Sequence, residues 1–285
     1  MVFLRHLLLK SGYGKLSALM ILLLCSSSAQ GFFWDKTEVK NVILMIGDGM
    51  GPQQYSLAMS YAKYAPGSKK RVLNLEKLMA DGELGMMLTN PHGAIVTDSA
   101  ASATQLSTGV MAGSEMIGVD FKGNPQKTIL EMARDAGKST GLVSDTRITH
   151  ATPAAFAAHR AHRSMENEIA EDLLASKTDV MLSAGLRNFI PQGVKDQKSK
   201  TYLDIRAQVP AHIKLKTKRM DDRNLLEEAK ADGYDVVFDR QAMMKAPRDK
   251  RLLGLFEMKE MPNGIVEHYS EGNKERPHPT LKEMV

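Results

Sequence analysis

The chain has 285 residues, room for one large α/β domain or two small ones. With 43% hydrophobic and 25% charged residues, 22 Gly and 11 Pro, its composition excludes a disordered, collagen-like or multi-span membrane protein. A single cysteine, Cys25, excludes a disulfide framework and any cysteine-cluster zinc or iron–sulfur site. The formal net charge is +5, but Arg5, Lys10 and Lys15 cluster before any acidic residue. Without them 35 basic residues face 33 acidic ones, or +2. This near balance gives little support to nucleic-acid binding.

Those three basic residues form the positive start of an export signal. Leu16 to Leu24 (LSALMILLL) is apolar but short for a bilayer span. Ser27-Ser28-Ala29 supplies the small residues of a cleavage site, giving a signal peptide over 1–29 and a domain over 30–285. An uncleaved anchor and a lipoprotein modified at Cys25 are the alternatives. Leu24 fits the second poorly, since small residues are usual at that position. The mature chain then has no cysteine, is exported to the periplasm or secreted, and keeps no transmembrane segment.

Val42 to Ile46 is a continuous apolar run, the pattern of a strand buried on both faces of a parallel sheet. It leads into Gly47-Asp48-Gly49-Met50-Gly51, and Pro52 suits the first turn of a following helix. Leu75, Leu78 and Met79 suggest a short helix, and Leu84 to Leu88 a strand. Asp98 is a fitting N-cap for a helix from Ser99 to Leu106. A helix over Thr128 to Ala136 closes at Gly137, and a strand runs from Thr140 to Ser144. Helices are expected at Pro153 to His159 and Met165 to Ala175, with a strand from Asp179 to Ser183.

Gly185 to Asp222 is less regular, and its basic cluster of Lys214, Lys216, Lys218 and Arg219 reads as a solvated surface segment. Arg223 to Ala231 looks helical; Val236 to Phe238 and Leu252 to Phe256 look like strands. Pro279 to Val285 reads as the opening of a helix. This alternation argues for a sheet covered by helices on both faces.

Three segments carry the chemistry. Asp48 follows the first apolar run, at the strand edge where open α/β sheets bind ligands. Alone, an Asp-Gly there is more simply a helix cap. Ser99 opens a helix in VTDSAASAT, where unpaired N–H groups and the dipole favour an anion. An unaided serine is nevertheless a weak nucleophile and needs a base or a metal. The third segment, THATPAAFAAHRAHR, places His150 and Thr152 after a strand, with His159, Arg160, His162 and Arg163 beyond.

Together NVILMIGDGMG, VTDSAASAT and THATPAAFAAH, with Arg163 eleven residues after Thr152, closely resemble the alkaline phosphatases, in the family's order. The resemblance implies a three-layer α/β/α sandwich with a central, largely parallel sheet. It implies hydrolysis of phosphate monoesters through a phosphoserine, with two zinc ions and one magnesium ion. Asp48 would bridge the second zinc and the magnesium, and Ser99 would be the zinc-bound nucleophile. Thr152 would be a magnesium-site ligand, and His150 would contact that site directly or through water, leaving the third metal's identity open. Arg163 would clamp phosphoryl oxygens, positioned by Asp98. Phosphate monoesters and inorganic phosphate would be the ligands, and a homodimer is suggested.

The family's later metal-ligand segments are not found before Val285. His212, His268 and His278 lie in irregular stretches without the expected carboxylate partners. The chain is therefore expected to be an N-terminal portion of the enzyme, with a fold incomplete at its C-terminus and little activity of its own. Rival readings are a non-catalytic family member, a sulfatase or phosphodiesterase of the same superfamily, and a secreted basic binding protein. The first would be told apart by the length of the encoded product. The mature chain's lack of cysteine weakens the second, and its near-neutral charge weakens the third.

Overall fold

Four short runs rich in Val, Leu and Met pair side by side. The computed structural model describes residues 39–69, 71–266 and 276–285; the proposed signal peptide, Cys25 and His268 lie outside them. The chain divides into a unit ending at Gly47 and a second running from Asp48 to Val285. In the second unit, strands β1 (Gly141–Arg147), β2 (Val180–Ala184), β3 (Tyr234–Val237) and β4 (Arg251–Leu255) form one sheet in the order β1-β2-β4-β3. All three ladders are parallel, with Leu142 opposite Met181 and Met181 opposite Leu253.

Side chains alternate across a strand, so each face of this sheet acquires its own core. Met181, Leu253 and Leu255 pack into one cluster with Ile169 and Leu173 of α6 (Glu166–Ala175) and Leu225 and Leu226 of α8 (Leu225–Ala231). Leu182, Ala184 and Val237 pack into the other with Met243 of α9 (Arg240–Lys245) and Met284 of α10 (Leu281–Met284). Helices therefore cover both faces of a central parallel sheet, as expected. Gly185, just after β2, has a φ of +102°, and a Cβ there would lie 2.8 Å from that of Arg147. Glycine thus lets the ends of β1 and β2 close together.

Upstream lie α1 (Pro52–Tyr64), α2 (Asn74–Asp81), α3 (Ser99–Thr108) and α4 (Ile129–Asp135). Thr128 caps α4 in a reciprocal box with Glu131, and Gly137 follows at a φ of +71°. The two expected strands Val42–Ile46 and Leu84–Leu88 do not form. Their apolar side chains are exposed, Val42 at 82% and Met86 at 99%. Neither run has a ladder partner among the described residues, and a lone strand leaves its backbone groups unsatisfied.

The expected helix Pro153–His159 is also shorter. α5 (Ala151–Ala154) gives way to tighter turns, with Ala157 N–H donating to Ala154 O. The backbone is then drawn aside because Arg160 exchanges both its N–H and C=O with Ile117. Helices α7 (Lys200–Gln208) and α9 arise where none was expected. α7 starts at a Ser199 cap, and α9 at an Asp239 cap.

Arg219 corrects the surface reading of the basic cluster, since it is fully buried. Its Nη2 donates to Glu171 Oε1 at 2.8 Å and its Nε to Asp221 Oδ1 at 2.7 Å. Its Nη1 reaches the carbonyls of Asn188 and Asn167 at 3.3 and 3.4 Å. Burial works against the charged guanidinium, but the bonds to Asp221 and Glu171 outweigh it. Arg219→Ala leaves two carbonyls and two carboxylates short of a donor. We expect it to lower stability by about 2–4 kcal/mol, below the full cost of stripping a buried pair because the carboxylates stay partly solvated. Urea unfolding checks this, and an unchanged midpoint would return Arg219 to the surface.

Glu283 ties α10 down. Thr280 and Glu283 form a reciprocal capping box, and Arg240 Nε donates to Glu283 Oε1 at 2.9 Å. Burial raises the Glu283 carboxyl's pKa, but the bonds from Arg240, Thr280 and Arg276 outweigh it and pull the carboxyl from 4.5 to about 2. A carboxylate favoured by folding stabilises the native state above its unfolded pKa. We expect the stability difference between wild type and Glu283→Gln to be full above pH 4.5 and to vanish as pH falls through about 2. Denaturant melts across that range read it directly, and a difference independent of pH would contradict the pairing.

Candidate active site

α3 begins where Asp98 turns both carboxylate oxygens onto backbone N–H groups. Oδ1 accepts from Ala100 at 2.7 Å and Ala101 at 3.2 Å, and Oδ2 from Glu115 at 2.9 Å. An Asp is preferred here because it satisfies helix N–H groups that have no intrahelical partner. The cap fixes Ser99 as the first helical residue. Buried Ala100, Ala101 and Ala103 seat the helix, and Ser107 Oγ donates to Ala155 O at 2.6 Å, tying it to the turns after α5.

Asp48 meets this helix start. Ser99 Oγ donates to Asp48 Oδ1 at 3.0 Å, and Thr152 Oγ1 donates to Asp48 Oδ2 at 3.1 Å. The three residues are separated by 51 and 104 positions. Gly49, at a φ of +68°, turns the chain just beyond the carboxylate.

Thr152 and His150 follow the C-terminal end of β1, as the sequence suggests. The turn between is held by Glu166, which accepts from Arg147 Nε at 2.8 Å and Thr149 Oγ1 at 2.9 Å. Burial raises the Glu166 pKa, but the Arg147 bond and charge outweigh this and keep it lowered. His150 Nε2 lies 3.1 Å from Arg163 Nη2 and accepts its hydrogen, so the remaining proton of the neutral ring belongs on Nδ1. That Nδ1 is buried and has no hydrogen-bond partner among the described residues. Burial first, then Arg147 and Arg163, holds the His150 pKa below its ordinary value.

Arg163 approaches Asp98 loosely, with Nη1 4.0 Å from Oδ1. Arg160 is committed elsewhere, to Asp172 and the Glu168 carbonyl, and His159 to Glu131 and the Gly118 carbonyl. Gly118 permits this closeness, because a Cβ there would lie 2.1 Å from Ala158 O. The six expected site residues fall in two groups, Ser99 and Thr152 on Asp48, and His150 and Asp98 about Arg163, which adjoin along the chain at 98–99 and 150–152.

The donor set around Asp48 is a carboxylate and two hydroxyls. Such oxygen donors suit part of a magnesium shell. Among the described residues no cluster of three or more His, Cys, Asp or Glu side chains comes together, so these residues do not assemble a zinc donor set. His278 also corrects an expectation, since its Nε2 pairs with Glu257 Oε1 at 2.7 Å.

The sequence profile of the alkaline phosphatases matches residues 39–285. The chain belongs to the alkaline phosphatase family. Alkaline phosphatase 3 of Bacillus subtilis is 36% identical over 259 residues, covering 88% of this chain and 47% of that protein. Thermus thermophilus alkaline phosphatase superposes with a TM-score of 0.67 at 30% identity, over 84% of this chain and 44% of that one. A His-to-Asp variant of the alkaline phosphatase from the Antarctic bacterium TAB5, with Mg bound in its M3 site, gives a TM-score of 0.60 at 28% identity. It covers 78% of this chain and 54% of that one. The chain spans about half the length of the relatives it matches.

One residue of this network had no signal in the motifs. Glu115 takes a φ of +63°, its N–H donates to Asp98 and its C=O accepts from Arg163 N–H at 2.7 Å. A non-glycine residue in that region costs about 1–2 kcal/mol.

Asp98→Ala removes the cap, and we expect a loss of about 1–2 kcal/mol in urea unfolding. Asp98→Asn keeps one acceptor, enough for the Ala100 and Ala101 N–H groups, but sets an amide NH2 against the Glu115 N–H, so it should retain the cap and lose the bond to Glu115. Equal losses for the two variants would show that capping of α3 is not what Asp98 contributes.

Proposed function

We propose that this chain binds phosphate monoesters and inorganic phosphate, with Ser99 as phosphoryl acceptor and Arg163 as clamp. The observation that carries this reading is the convergence of Ser99 Oγ and Thr152 Oγ1 on Asp48, beside Arg163 and its neighbours. Family membership supports it, and a phosphatase activity is the proposal for the whole protein.

Asp48 Oδ1 holds the Ser99 hydroxyl proton, so the oxygen's lone pairs are free to face an incoming phosphorus. The N-terminus of α3 lies under Ser99 and favours negative charge on its oxygen and on phosphoryl oxygens. The planar Arg163 guanidinium matches two phosphoryl oxygens at once. Thr152 holds the second Asp48 oxygen and fixes the carboxylate plane.

Asp48 and Thr152, with His150 close by, are the residues proposed to hold magnesium, and the TAB5 variant's Mg site supports a metal of this kind. Magnesium when bound neutralises charge and orders its ligands. The described residues do not bring a zinc donor set together. The Arg5–Ala29 pattern supports export, and no described helix is long and apolar enough to cross a membrane.

Calorimetric titration of the full chain with inorganic phosphate, magnesium present, tests the reading. Arg163→Ala should weaken binding by about 1.5–3 kcal/mol, the worth of hydrogen bonds to a charged group. Ser99→Ala removes no charge and should leave binding nearly intact. Phosphate affinity unchanged by Arg163→Ala would overturn the clamp.

A further inference from the structure

Glu115 stands where a glycine would be at ease, and its neighbours hold it there. The segment from Glu115 to Ile117 runs antiparallel beside Arg160 to Arg163. Ile117 exchanges N–H and C=O with Arg160, and Arg163 N–H donates to Glu115 O. Asp98 Oδ2 accepts the Glu115 N–H, and Thr104 Oγ1 donates to the Met116 carbonyl. This pairing fixes the register and delivers the Glu115 side chain to the clamp. Its Oε2 lies 3.8 Å from Arg163 Nε and 4.0 Å from His162 Nε2. The carboxylate is half-exposed and lies beside the guanidinium.

We infer that Glu115 is a specificity-determining residue of this site: its carboxylate competes with phosphoryl oxygens for Arg163 and penalises ligands carrying additional negative charge. The inference rests on the proposed phosphate clamp and deepens it. A carboxylate beside the guanidinium occupies part of its field, so the site pays a repulsion for each further charge that a ligand brings. A monoester with a neutral or cationic leaving group meets the smallest penalty, and a polyphosphate the largest. The same residue orients Arg163 through its backbone, so the constraint that positions the clamp also weakens its grip.

Inorganic phosphate and pyrophosphate are titrated into the full chain as wild type, Glu115→Gln and Glu115→Gly. Glutamine keeps the backbone requirement and removes the charge. Glycine removes both and takes a positive φ freely, so it guards against a variant that simply fails to fold. Both variants should bind phosphate about two- to five-fold more tightly, the scale of one half-exposed charge. The gain should be larger for pyrophosphate and should shrink at high ionic strength, where exposed charges are screened.

Tightening by Glu115→Gly alone would assign the effect to backbone relaxation and overturn the inference. Unchanged affinity in both variants would also overturn it, while the clamp stands if Arg163→Ala still loses phosphate. No phosphate binding by any form, or binding indifferent to Arg163, brings down the clamp and this inference with it.

Discussion

Asp98 spends both carboxylate oxygens on backbone N–H groups, and the site is arranged around that commitment. Oδ1 caps α3, which sets Ser99 at the first helical position. Oδ2 takes the Glu115 N–H, which fixes the loop that runs beside Arg163. A single side chain thus joins a helix start, a turn and the approach to a guanidinium. Capping is usually a matter of helix stability; here the same bonds define the relative placement of the two residues proposed to handle a phosphoryl group.

The sheet supplies the rest of the frame. Its strands are parallel, so their carboxyl ends share one edge, where β1 delivers Thr149, His150 and Thr152. Arg147 and Glu166 fasten that delivery, and Gly185 lets β2 close against it. Each face of the sheet has its own cluster of buried side chains. A core packed from both sides leaves the edge little freedom, and little freedom is what positioning demands, since a misplacement of about 1 Å can cost ~10²-fold in rate.

The residues carried by local pattern were legible in the sequence. Asp98 precedes a run of small helix-forming residues, and the strands of the sheet are short apolar runs bounded by turns. Val42–Ile46 and Leu84–Leu88 show where that logic stops. Both have strand composition, yet a strand is a relation between two segments, and neither finds a ladder partner among the described residues. Arg219 shows a second limit. In a row of lysines it looks solvated, and only the folded chain brings Glu171 and the Asn167 and Asn188 carbonyls around it. Glu115 shows a third, because its role depends on a positive φ and an antiparallel neighbour far along the chain. None of these leaves a periodicity or a spacing to read.

The electrostatics of Arg163 follow from the same commitment of Asp98. A carboxylate with free lone pairs would meet a guanidinium in a two-point fork, a strong and planar pairing. Asp98 is held by three backbone N–H groups instead, and its closest approach to Arg163 stays at 4.0 Å. Glu115 stops at 3.8 Å. Among the described residues the close side-chain partner of Arg163 is His150, an uncharged imidazole taking a single hydrogen from Nη2 at 3.1 Å. Protonating that ring would place a second positive charge against the guanidinium and remove the acceptor. Arg163 and Arg147, together with burial, oppose that protonation. Arg163 is therefore oriented by neighbours that leave much of its hydrogen-bonding capacity unspent. A clamp needs both properties at once: a partner bound too well would have to be displaced by phosphate, and a free arginine would have to be ordered by it.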